Sequence, residues 1–252
     1  MDTPVGALRA SVDRLHALAS GLDDEQLVSP SYCDEWSIAQ VLSHIGSGAV
    51  IARRSLQDVR AGTPTPDDFN QSVWDEWNAK SPRAQADDAL VADEALTQAL
   101  EAVPEDERSA LTFSLGPMSL GFDDMFALRL NEHAFHTWDI AVALDDAAVV
   151  PEDAAAVVVD NLSLITRFSG RSDGEERTIA VRTVEPGRDL ALHLSADGVE
   201  LRDGAAGQAP DLELPAEAFS RLVYGRLDAD HTPAFTGDAA LLASLRAVFP
   251  GP

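Results

Sequence analysis

Apolar positions in the first part of the chain recur at helical spacing. Leu8, Val12, Leu15 and Leu18 form one stripe at three- and four-residue intervals, which predicts an opening amphipathic helix. Asp23-Asp24 and Ser29-Pro30 break the pattern. A second helix is predicted over residues 36–61, with Ile38, Val41, Leu42, Ile45 and Val50 inward, and Asp34 rather than Ser37 as its cap. Residues 62–66 read as a loop. Helices follow over about 67–80 and 84–103, separated by Ser81-Pro82 and ended by Pro104. Trp74 and Trp77 fall on the first of these and are assigned to the core. Residues 111–120 read as irregular around a Gly116-Pro117 turn. Strong helical patterning returns over 122–144, and a further helix is predicted over 152–169, with Pro151 at its first turn.

The pattern changes after residues 170–176, a Gly/Ser/Asp/Arg-rich stretch that reads as a linker. Residues 178–184 and 189–194 alternate with period two, as half-buried strands do, and 198–202 and 211–214 continue that habit. Residues 215–226 and 239–248 read as helices. The expected architecture is multidomain, α followed by α+β: a helical bundle over residues 1–170, then a small α+β domain over 177–250.

Composition narrows the function. The 252 residues carry 45 % hydrophobic positions, enough for real cores, and a formal charge of −25. Such a field repels phosphate backbones and anionic membrane surfaces, so neither nucleic acid nor membrane is an expected partner. An anionic substrate would need local cations. No apolar run reaches the roughly 18 residues of a spanning helix, and the first residues lack a basic-then-apolar secretory pattern. The single cysteine, Cys33, cannot form an internal disulfide, and a reducing cytoplasm is the simplest setting. Cys33 could serve as a nucleophile, but reads as a small hydrophobe in a helix-entry turn. Lys80 is the sole lysine among many arginines and alanines, the habit of a GC-rich genome. Oligomeric state is left open.

Candidate chemistry concentrates in residues 129–140. Glu132 and His136 stand four apart and project from one helix face, so a carboxylate and an imidazole can reach one metal ion or pair with each other. Asp139, three further on, could accept the second imidazole N–H and fix the tautomer. His133 points about 100° away from Glu132. His44 is the best third donor, a histidine among Val41, Leu42 and Ile45 that needs a partner. His16 lies beside Arg14 on an amphipathic helix, His193 in a strand and His231 in a loop. There is no His-Glu-x-x-His, Cys-x-x-Cys, Gly-x-Ser-x-Gly or Gly-rich phosphate motif.

Residues 36–45, Trp-Ser-Ile-Ala-Gln-Val-Leu-Ser-His-Ile, resemble the W-[ST]-x-x-x-[VL]-L-x-H-[LI] stretch of the DinB-like, mycothiol-dependent maleylpyruvate isomerase family. Arg129, Glu132, His136 and Asp139 match that family's R-x-x-E-x-x-x-H-x-x-D helix. The domain order is similar as well: a DinB-like four-helix bundle, then a small sterol-carrier-like α+β domain. The resemblance implies that His44, Glu132 and His136 bind a divalent metal, usually Zn²⁺, with mycothiol, the actinobacterial thiol, as cosubstrate. It also implies a supporting arginine from the second domain, which falls on Arg226, with Arg221 as rival. The expected function is a metalloenzyme that activates the thiol on zinc for addition to a small-molecule electrophile, as a cis–trans isomerase or a thiol S-transferase. The alternative is a non-catalytic metal- and ligand-binding protein.

Overall fold

The structure, a computed structural model, describes residues 3–251 apart from 34 and 206. The chain forms two compact units, Met1–Ala148 and Val149–Pro252.

The first unit is built on four long helices: α1 (Pro4–Ala19), α3 (Ile38–Ala61), α5 (Pro82–Glu101) and α7 (Phe122–Val142). Each packs on two of the others, α1 against α7 and α5, α3 against α5 and α7. Burial of the stripes read from the sequence drives this, with Leu15, Leu27, Ile38, Val41, Leu42, Ile45 and Ile140 in one core. At Gly46 the helices α3 and α5 come close: a Cβ there would stand 2.7 Å from the Ala89 Cα and 2.3 Å from the Trp77 ring. Trp77 is buried, with the Lys80 ammonium 3.9 Å above its ring. Trp74, expected inside, is 44 % exposed on α4 (Phe69–Asn78), because the buried face of this short helix runs through Val73 and Trp77 and Trp74, directly after Val73, falls beyond its edge.

Several local expectations are corrected. Helix α3 begins at Ile38 with Ser37 as its cap: Gln40 N donates to Ser37 Oγ at 3.3 Å and Ser37 N to Gln40 Oε1 at 2.9 Å. This reciprocal box satisfies two end donors together and outweighs the carboxylate expected at Asp34, which lies outside the described residues. The break after α1 holds a short helix, α2 (Asp24–Val28), boxed by Asp23 and Gln26. Another short helix, α6 (Glu105–Arg108), follows Pro104. Where residues 111–120 were expected to be irregular, the chain forms a hairpin of β1 (Thr112–Leu115) and β2 (Met118–Gly121), turned by Gly116 at φ 56°.

In the second unit, the helix expected over 152–169 divides at Asn161 into α8 (Glu152–Asp160) and α9 (Leu162–Ser169). Both belong here: α8 packs on α10 (Ala216–Val223), and α9 on α10 and β5 (Gly198–Asp203). The Gly-rich stretch at 170–176 is therefore a connection inside this unit, and the division of the chain falls at 148/149 instead of 170–177. The sheet runs β5-β4-β3-β6-β7, with β3 (Arg177–Val184), β4 (Arg188–Ser195) and β6 (Leu212–Pro215); β7 (Thr236–Gly237) is an added edge strand. All neighbours are antiparallel except β3 and β6. Ile179, Val181, Leu192, Leu194, Val199, Leu212 and Leu214 are buried, the alternation expected of strands with one covered face. A last helix, α11 (Ala239–Val248), closes the unit. A helical first part and a sheet-containing second part are thus as expected. Among the described residues no helix is long and apolar enough to cross a membrane.

Candidate metal centre

The donors predicted from sequence converge within the first unit. Helix α3 carries His44, and α7 carries Glu132 and His136 one turn apart on one face. His44 Nε2 lies 3.5 Å from Glu132 Oε2, and His136 Nε2 lies 3.8 Å from the same oxygen. The two imidazoles meet edge to face, with centroids 4.6 Å apart. The three donor atoms all lie within 4.8 Å of one another. Hydrogen bonds this long are weak. Donors about 2.0–2.2 Å from one tetrahedral ion stand roughly 3.3–3.6 Å apart, close to the spacings found. Two imidazoles and a carboxylate suit zinc and several other divalent metals, so the residues fit such an ion.

The surroundings prepare the donors. Asp139 is fully buried, and its Oδ2 lies 2.8 Å from His136 Nδ1. An N–H there donates to the carboxyl group and leaves the Nε2 lone pair facing Glu132 and His44. Cys33 Sγ donates to the same Asp139 oxygen at 3.1 Å, and Tyr32 N donates to the Asp139 carbonyl at 3.1 Å. The turn before α3 is thereby fastened to α7. Its Trp36 ring lies 5.2 Å from the His44 ring and 6.0 Å from the His136 ring, walling one side. Cys33 is half-buried and hydrogen-bonded, neither an isolated nucleophile nor a plain apolar filler. Partial burial by itself would raise the Glu132 carboxyl. The hydrogen bond with His44 and the charges of His136, His44 and Arg129 outweigh it and hold the group at about 2, ionised throughout the neutral range.

Other predicted residues are placed elsewhere. His133 points away from the centre: its Nε2 lies 3.0 Å from Asp93 Oδ2 and its Nδ1 2.8 Å from Ser11 Oγ. This Ser–His–Asp chain is no hydrolytic triad, because all three groups are at most 3 % exposed and no substrate reaches them. His16 Nε2 faces the Leu90 carbonyl at 3.0 Å. In the second unit, Arg221 is 2 % exposed and pairs bidentately with Glu217 at 2.7 and 3.0 Å. It also donates to the His231 carbonyl. Arg226 is buried and donates from Nη1 to the Tyr224 carbonyl at 3.1 Å. Sequence reading assigned no role to Asp93. The available signal was a carboxylate in the otherwise apolar row Ala89, Leu96 and Leu100 of α5.

Replacing Asp139 with asparagine is expected to weaken zinc binding about 10–100-fold, the usual effect of removing a carboxylate partner of a ligating imidazole. Competition against a chromophoric chelator measures it, and an unchanged affinity would mean that Asp139 does not tune His136.

Residues 8–141, more than half of the chain, match the family described as mycothiol maleylpyruvate isomerase N-terminal domain. Two solved structures share the fold: the mycothiol-dependent maleylpyruvate isomerase and a histidine-to-alanine mutant of it. Each has 14 % identity and a TM-score of 0.65, with 94 % of this chain and 93 % of the other covered. No curated protein matches the sequence.

Proposed function

This chain belongs to the mycothiol maleylpyruvate isomerase N-terminal domain family, and from that premise we propose a mycothiol-dependent metalloenzyme that adds the thiol to a small electrophile. The observation that carries the reading is the convergence of three donors, His44, Glu132 and His136, with no fourth histidine, cysteine or carboxylate joining the group among the described residues. Structural zinc sites are closed by four protein donors, whereas catalytic ones use three. Zinc is the metal the donor set favours, and its chemistry when bound is Lewis acidity, which makes a thiol ionise that is only a few per cent thiolate at neutral pH.

The chain's own groups do the rest. Asp139 holds His136 in one tautomer, Glu132 stays ionised, and Trp36 excludes water from one side. The thiolate sulfur forms a bond to one carbon of an activated double bond, and the displaced electron pair is carried as an enolate. If rotation and expulsion of the sulfur follow, a cis alkene becomes trans. If the enolate is protonated instead, the thioether is the product. Neither path oxidises or reduces anything. From the family resemblance, Arg226 is the candidate for recognising a substrate carboxylate, with Arg221 as its rival. A thiol cosubstrate and a single cysteine both suit a reducing compartment such as the cytoplasm.

The test is elemental analysis of the purified protein followed by calorimetric titration with mycothiol and a panel of electrophiles. One zinc per chain, thiol binding, and either an isomerised skeleton or a stable adduct are the expected results. Zinc without thiol binding would replace the enzyme by a non-catalytic metal-binding protein.

A further inference from the structure

We propose that Arg129 is a positioning residue for the metal centre, tying the helix that carries His44 to the helix that carries Glu132 and His136. The inference rests on the metal reading above and extends it to a residue outside the donor set. Arg129 stands one turn before Glu132 on α7 and is 9 % exposed. Its Nη2 donates to the Ile45 carbonyl at 2.8 Å, the residue directly after His44, and to Asp93 Oδ1 at 3.0 Å. One planar group thus holds the backbone beside one donor at a fixed distance from the turn that presents the other two. A planar fork with several fixed donors suits this task, and a lysine cannot reproduce it.

Two further observations separate this from ordinary packing. Helix α3 has a glycine at position 48, where an added Cβ would stand 2.7 Å from Arg129 Nη1, so the guanidinium lies directly against the backbone of α3. Arg129 Nε is buried without a hydrogen-bond partner among the described residues. A buried charge with an unsatisfied donor is disfavoured for stability, and apolar side chains often replace such groups without loss. Its presence between two donor-bearing turns points to a demand set by the centre.

Metal-free full-length protein is titrated with zinc against a competing chelator, beside thermal melts of the same metal-free samples. Arg129→Met is expected to weaken zinc at least about ten-fold, as loss of an outer partner of a metal centre does. Arg129→Lys, which keeps the charge and one hydrogen bond, should recover part of that loss. Gly48→Ala keeps every hydrogen-bonding group and displaces only the guanidinium, and should weaken zinc by a smaller factor. Lowered melting with unchanged zinc affinity in Arg129→Met would overturn the proposal and leave Arg129 a stabilising residue only. Should Arg129→Met fail to fold, unchanged affinity in both Arg129→Lys and Gly48→Ala would overturn it equally. Wild-type protein that takes up no zinc would overturn the metal reading, and with it this one.

Discussion

Replacing His44 with alanine is expected to lower zinc affinity about 10²–10³-fold and to abolish mycothiol binding, with the helical unit still folded. Four-donor zinc sites bind with roughly 10–16 kcal/mol, so each donor supplies about 2.5–4 kcal/mol. The fold should survive because the His44 side chain is 39 % exposed and alanine favours the interior of a helix such as α3. His136 is a poorer choice, since it is buried and bound to Asp139, so its loss would disturb packing as well as donation. His16→Ala is the matched control, for it removes an imidazole from the same unit whose Nε2 lies 3.0 Å from the Leu90 carbonyl. If His44→Ala keeps wild-type affinity, the ion binds elsewhere, and Cys33, His136 and Asp139 are the other convergent group among the described residues.

The second large effect is on stability. Asp93→Ala is expected to destabilise the helical unit by about 3–5 kcal/mol, because it leaves both Arg129 and His133 buried without their common anion. At roughly 2–4 °C per kcal/mol for a chain of this size, the melting point should fall by on the order of 10 °C. Burial alone would raise the Asp93 carboxyl. The charge and hydrogen bond of His133, and those of Arg129, overcome it and hold the group below its usual 3.8. A carboxyl depressed on folding contributes in full above its unfolded value and loses that contribution as pH falls below it. The gap between wild type and variant should therefore be constant near neutrality and shrink below about pH 3.8. A variant that melts with wild type at neutral pH would show that the Asp93 network is neutral for stability.

Legibility in the sequence followed the range of the forces involved. Helices α3 and α7 were readable because their apolar stripes are long and regular. Glu132 and His136 were readable because helical geometry alone sets their spacing. The hairpin at 112–121 was not, since its two strands have four residues each and only Phe113 is buried in the first. Ser37 was passed over although its partner Gln40 stands at the third helical position, the mark of a reciprocal cap. Whether α8 and α9 join the bundle or the sheet depends on which surface covers them, and an amphipathic pattern reads the same either way. The pairing of His44 with the α7 donors rested on family resemblance more than on pattern. The contacts of Arg129 with Asp93 and Ile45, 36 and 84 positions away, left no periodic trace.

The 88 positions between His44 and Glu132 bear on the order of events during folding. Closing so long a segment is entropically unfavourable until α7 docks on α3, and contacts of this range form late. A nascent or partly unfolded chain can offer an ion only the local Glu132–His136 pair of α7. If the three donors hold an ion as proposed, its capture by all of them trails assembly of the bundle and would then slow its disassembly.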